Sequence, residues 1–184
     1  MQKNAKIFDL VTVAFAAALI AVCSWISIPM AVPFTLQTFA ICCVLPLFGG
    51  KRGSAAVLLY LLLGLVGVPV FAGFNAGPGV LLGATGGYLL GFLLMGLMFW
   101  LLIRLLGERT WVQLLALLLG MAAVYAFGTA WFMVVYARAT GPVGLLTALS
   151  WCVFPFIVPD LLKLVLALTL SKRLAVIRKK VRAR

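Results

Sequence analysis

Negative charge is almost missing from this chain. Its 184 residues include three acids, Asp9, Glu108 and Asp160, and no histidine. Without histidine there is no imidazole base and no imidazole metal ligand. The four cysteines, Cys23, Cys42, Cys43 and Cys152, show no CxxC spacing and lie in apolar stretches. They read as small hydrophobic packers, not as metal ligands or disulfides. No GxSxG turn, carboxylate pair or P-loop occurs. The chain therefore does not read as an enzyme, and it cannot hydrolyse ATP by itself. No cofactor and no metal is expected.

Charge of either sign is scarce. Charged residues make up 10% and hydrophobic ones 66%, with a mean hydropathy of +1.25. A soluble domain is about half apolar and about a quarter charged. The composition excludes such a domain and points to an integral membrane protein. A transmembrane barrel would alternate polar and apolar residues, whereas Leu, Ala, Val and Phe run unbroken here. Lipid leaves no partner for unpaired backbone groups, so the spans read as all-α.

What is abundant is positive charge, at +12 net. It sits at the ends of apolar segments, which is a topology signal and a contact with anionic membrane lipid rather than with nucleic acid. The apolar segments cover about 7–28, 36–49, 54–67, 87–106, 111–137 and 143–172, and 1–184 reads as one six-helix membrane domain. The first reads as a span and not as a cleaved signal. The second and third are short for a crossing, so extension at their ends or shielding by protein is expected. The last contains Pro155 and Pro159. It reads as a kinked helix, or as an approach segment followed by a helix that begins at Pro159.

Six spans put both termini on one side. Of the 15 basic residues, only Arg138 then sorts to the opposite side, and Lys163 lies within the sixth segment. The positive-inside rule makes both termini cytoplasmic, with 172–184 a basic tail anchored at the membrane surface. Two loops then lie outside. One is "PMAVP", Pro29 to Pro33. The other is the Gly- and Pro-rich stretch from Gly67 to Gly87, which reads as an ordered loop on the outer face or folded over a cavity.

Asp160 and Lys163 break the apolar run of the last segment. At about 1.5 Å of rise per residue, Asp160 lies roughly 18 Å and Lys163 roughly 13 Å from an interface at Lys172. Both fall in the interior of a core roughly 30 Å thick. The i, i+3 spacing puts them on one helix face. A Pro159 start would put Asp160 in the first turn, where the helix dipole favours an anion. Two readings stand. One is an ion pair that locks helices, which is costly to bury. The other is a site for a polar solute entering from outside. Asn75, Gln37 and Tyr88 stand at the outer ends of other segments, where capping or interface anchoring is the simpler reading for each alone. Together with Asp160 and Lys163 they outline a small pocket with few polar groups and apolar walls.

With these residues in view, the chain resembles the BioY family, the biotin-specific S components of energy-coupling factor (ECF) transporters. The resemblance spans nearly the whole chain. It is carried by "VPFTLQTFA" (Val32–Ala40), "LLYLLLGLVGVPVFAG" (Leu58–Gly73), "GVLLGATGGYLLGF" (Gly79–Phe92) and "VPDLLKL" (Val158–Leu164). It implies six helices and one biotin closed under the first and third outer loops. The implied ligand contacts are Asn75, Tyr88, Asp160 and Lys163, with Gln37 and Thr35 as further candidates. Some family members carry Arg after the Gly-Gly-Tyr tyrosine. Here that position is Leu89, so one cationic contact is absent.

The resemblance also implies partners: a transmembrane coupling protein (EcfT) and a pair of ATPases. S components use small residues of the first helix for docking. Here Ala14-x-x-x-Ala18 and Ala17-x-x-x-Ala21 have the spacing that lets helix backbones approach closely, and packing inside the bundle is the other reading of that spacing. Two alternatives remain on the sequence. One is an S component for another vitamin, such as thiamine or riboflavin. The other is a membrane scaffold with no solute.

Overall fold

The structure is a computed structural model that describes residues 2–30 and 32–182, with side chains from 6 to 174 apart from Ala31. The side chains of Lys3, Arg178, Lys179, Lys180 and Arg182, all of Arg184, and Ala31 of the first loop lie outside the described residues. The chain begins with α1 (Gln2–Trp25), whose run of Ala, Val, Leu and Ile ends at Trp25. A short hairpin follows. β1 (Ser27–Ile28) pairs antiparallel with β2 (Phe34–Thr35), with Ser27 opposite Thr35. Leu36 N–H then donates to the Ile26 carbonyl at 3.2 Å, and the chain turns into α2 (Gln37–Phe48).

α2 has 12 residues, about 18 Å of helix. It packs against α1, α3 (Gly50–Leu65), α5 (Gly86–Leu106) and α8 (Phe154–Arg182). Ile41, Cys42, Val44 and Leu45 are fully buried. Every residue of α2 is buried or half-buried, so its neighbours cover most of its surface. Among the described residues, four helices are long and apolar enough to cross a membrane: Lys6–Trp25, Gly86–Leu106, Thr110–Ala139 and Phe154–Leu174. α2 and α3, at 12 and 16 residues, fall short of that length.

Between α3 and α5 the glycine-rich stretch forms a 3-10 turn at Ala72–Phe74 and α4 (Pro78–Leu82). Its fastenings are specific. Trp25 Nε1 donates to the Pro69 carbonyl at 2.9 Å, and the Ser24 hydroxyl bonds the Val70 carbonyl. Trp25 stacks on Phe74 with ring centres 5.0 Å apart. Phe71 is buried, with its ring in the notch left by Gly64 and edge-on to Tyr60. Any side chain at position 64 would collide with that ring, so glycine is required there. Trp131, from α6 (Thr110–Ala139), fastens the far end by donating to the Gly83 carbonyl at 3.0 Å.

α5 and α6 form the most extensive helix pair. Gly91, Gly120 and Gly128 let Val124, Met95 and Tyr88 approach across it, as small residues do in membrane bundles. The sixth apolar segment departs from expectation. It is two helices, α7 (Leu145–Cys152) and α8, parted at Val153. Pro159 lies inside α8 and does not start it. Pro155 occupies the first turn instead, where a missing N–H costs nothing, and Phe156 N–H closes onto the Val153 carbonyl at 2.9 Å. Asp160 therefore sits in the second turn, not the first, and the expected help from the helix dipole is reduced.

Candidate functional site

A cavity of about 140 Å³ lies beneath the glycine-rich loop. Thr35, Gln37, Asn75, Tyr88, Asp160 and Lys163 all line it. Five elements supply these six residues: β2, α2, the loop, α5 and α8.

The ion pair is its polar centre. Lys163 Nζ donates to Asp160 Oδ1 at 2.8 Å and to the Thr35 carbonyl at 2.8 Å. The ammonium also sits 3.8 Å from the centre of the Phe34 ring, where the ring's negative face attracts it. Asp160 and Lys163 are 3% and 7% exposed. The two side chains thus face one another, as the structural reading of the pair requires, yet both also border the hollow. Two Lys163 donors are engaged within the protein. A third N–H remains, because an ammonium has three. Lys163 is the only basic residue on the cavity wall among the described residues.

Tyr125 completes this centre. From α6 its hydroxyl donates to Asp160 Oδ2 at 2.7 Å, so both carboxylate oxygens are held by the protein. Gln37 Nε2 donates to the Tyr60 hydroxyl at 2.8 Å. Tyr88 and Thr129 share a hydrogen bond of 2.9 Å between hydroxyls. Asn75 is exposed, and its amide nitrogen donates to the Ala72 carbonyl at 2.8 Å. The Thr35 hydroxyl accepts from Gln37 N–H at 3.2 Å and so fixes the start of α2. Leu89, 8% exposed, gives an apolar surface beside Tyr88. Phe71, Phe92 and Phe156 extend that apolar wall.

Tyr125, Phe34 and Thr129 were not among the residues nominated from the sequence. A signal for two of them exists. Tyr125 and Thr129 are polar groups one helical turn apart inside an apolar segment, on one helix face. Phe34 left no such trace, because its role depends on the hairpin folding back toward α8.

The four alanines of α1 singled out for docking, Ala14, Ala17, Ala18 and Ala21, divide. Ala17 and Ala21 are buried in the core, at 1% and 6% exposure. They pack inside the bundle and are not available to a partner. Ala14 and Ala18 lie on the exposed side.

Long apolar helices around a lidded, mostly apolar cavity with one buried ion pair define a helical membrane protein built to hold a small polar solute. The BioY family model matches residues 1–180, and the chain belongs to that family. It is 39% identical over 167 residues to the biotin transporter BioY of Thermotoga maritima, covering 90% of this chain and 95% of that one. The probable biotin transporter BioY of Pyrococcus horikoshii is 38% identical, over 88% of this chain and 93% of its own. In fold, the chain matches a crystal structure of the S-component for biotin from an ECF-type ABC transporter. The TM-score is 0.83 and the identity 29%, over 95% of this chain and 94% of the other.

Proposed function

We propose that this chain captures biotin at the outer face of the cytoplasmic membrane and delivers it inward as the S component of an ECF transporter. The observation that carries the reading is the Asp160–Lys163–Tyr125 centre on the wall of a lidded cavity. The names of the relatives and of the matching structure support biotin as the solute. Six crossings, one membrane domain over 1–184 and cytoplasmic termini belong to the same proposal. So do a coupling membrane protein and paired ATPases as the source of energy.

The chemistry is consistent with this. Biotin offers two ureido N–H donors, a ureido oxygen, an apolar bicycle and a carboxylate tail. The Asp160 oxygens retain lone pairs for N–H donors, and the free Lys163 donor suits an oxygen or a carboxylate. Asn75 and Tyr88 line the same cavity, and the phenylalanine wall suits the bicycle. No second solute is favoured by any feature of the cavity.

The test is equilibrium binding of radiolabelled biotin to purified protein and to its Asp160→Asn and Lys163→Ala variants. Saturable binding lost in both variants is expected. Unchanged affinity in both would exclude this centre as the site.

A further inference from the structure

A second hollow, about 740 Å³, lies at the other end of the bundle, where α1 begins, α2 passes into α3, and α5 ends. Its floor is apolar, with Val13 and Phe48 half-buried and Leu10 and Trp100 more exposed beside them. Its mouth is cationic. Lys6, Lys51 and Arg104 stand there, and none forms an ion pair with a described residue. Arg52 is already neutralised, because it lies 2.6 Å from Asp9 and over the Phe8 ring. Glu108 is the one acid at the mouth outside that pair. Three free cations against one free acid leave the mouth positive.

We infer that this groove is a binding site for one anionic phospholipid, with its phosphate among Lys6, Lys51 and Arg104 and part of an acyl chain along the apolar floor. The depth fits. From Lys6 to Val13 is seven residues of helix, roughly 10 Å, and from Arg104 to Trp100 four, roughly 6 Å. The floor thus descends from headgroup level toward acyl level on two helices at once. A soluble phosphate would have no use for that floor, and a neutral lipid none for the uncompensated cations. Basic pockets between transmembrane helices are a known means of holding anionic headgroups. The lipid would bridge α1 to α3 and α5, so it would stabilise the contact between the first helix and the rest of the bundle. The inference rests on the membrane reading of the helices and not on the identity of the solute.

The test uses the full chain in phosphatidylcholine nanodiscs with or without dioleoyl phosphatidylglycerol, compared by thermal unfolding and native mass spectrometry. Wild-type protein is expected to retain one phosphatidylglycerol and to unfold on the order of 2–4 °C higher with it. The Lys51→Gln/Arg104→Gln double variant should lose both effects, and Arg138→Gln should keep them. Equal responses in wild type and double variant would overturn the inference. So would an equal rise from inorganic phosphate alone, which would indicate an ion site only. A double variant that kept its lipid but lost its protein partners would overturn it in favour of a docking surface. Photoactivatable phosphatidylglycerol gives a reading independent of any variant. Adducts on the peptides carrying Leu10 and Trp100 are expected, and adducts only elsewhere would contradict the site.

Discussion

The hydroxyl of Tyr125 lies 2.7 Å from Asp160 Oδ2, while Lys163 holds Oδ1 of the same carboxylate at 2.8 Å. One anion is thus pinned from two helices, and its position is fixed before any solute arrives. A hydrogen bond to a charged group is worth about 1.5–3 kcal/mol. Tyr125→Phe keeps the ring and removes only that bond. Biotin affinity is expected to fall about tenfold or more, as read by titration calorimetry. Wild-type affinity in the phenylalanine variant would remove Tyr125 from the site.

The pair itself separates stability from binding. Removing one partner leaves a buried charge uncompensated, at a cost of about 3–5 kcal/mol. Asp160→Leu alone and Lys163→Met alone should each lower the unfolding temperature strongly. The double variant Asp160→Leu/Lys163→Met should recover much of that loss and still bind no biotin. Thermal unfolding in detergent and a binding assay on the same samples would check both halves. A double variant that binds would make the pair structural only.

The loop over the cavity is fastened at Trp25, by its bond to the Pro69 carbonyl and its stack on Phe74. Trp25→Ala removes both. Biotin dissociation is expected to speed up about tenfold, with a smaller change in association, because affinity differences within one site lie mostly in the off-rate. Filter-binding chase experiments would measure it.

The first helix offers a contrast between adjacent alanines. Ala18 is exposed, whereas Ala17 is 1% exposed and packed in the core. Ala18→Trp should leave biotin binding intact and reduce co-purification with the proposed coupling protein and ATPases. Ala17→Trp should lower the yield of folded protein instead, since overpacking a core costs about 1–3 kcal/mol.

Leu89 tests how the solute's carboxylate is held. Lys163 is the only cation on the wall among the described residues, and it is already shared with Asp160 and Thr35. Leu89→Arg adds a second cation. The preference for biotin over its methyl ester is expected to grow in this variant, as measured by competition binding.

Much of this was legible in the sequence, for physical reasons. Asp160 and Lys163 stood out because ionisable groups are costly at membrane depth. Gln37, Asn75 and Tyr88 joined them through their places at segment ends and the family resemblance, and Thr35 through the resemblance alone. Each of the six lines the cavity. The hydrogen-bond partners were harder to read. Tyr125 lies 35 residues from Asp160 in sequence, and the Thr35 carbonyl lies 128 residues from Lys163. No local pattern encodes such meetings. A break in the last segment was legible but not its place, Val153 and not Pro159, because prolines mark helix boundaries only loosely: Pro155 sits in the first turn and Pro159 is tolerated within the helix. The inward turn of Ala17 and Ala21 was hidden because small-residue spacing serves internal packing and external docking equally.

The most direct measurement is thermal unfolding of the purified protein in detergent across a panel of biotin, thiamine and riboflavin. Mass action adds about 4 kcal/mol of stability when a ligand is present at a thousandfold excess over its dissociation constant. A large upward shift with biotin alone, absent in Lys163→Ala, is the predicted result. No shift with biotin, or an equal shift with another vitamin, would contradict the account.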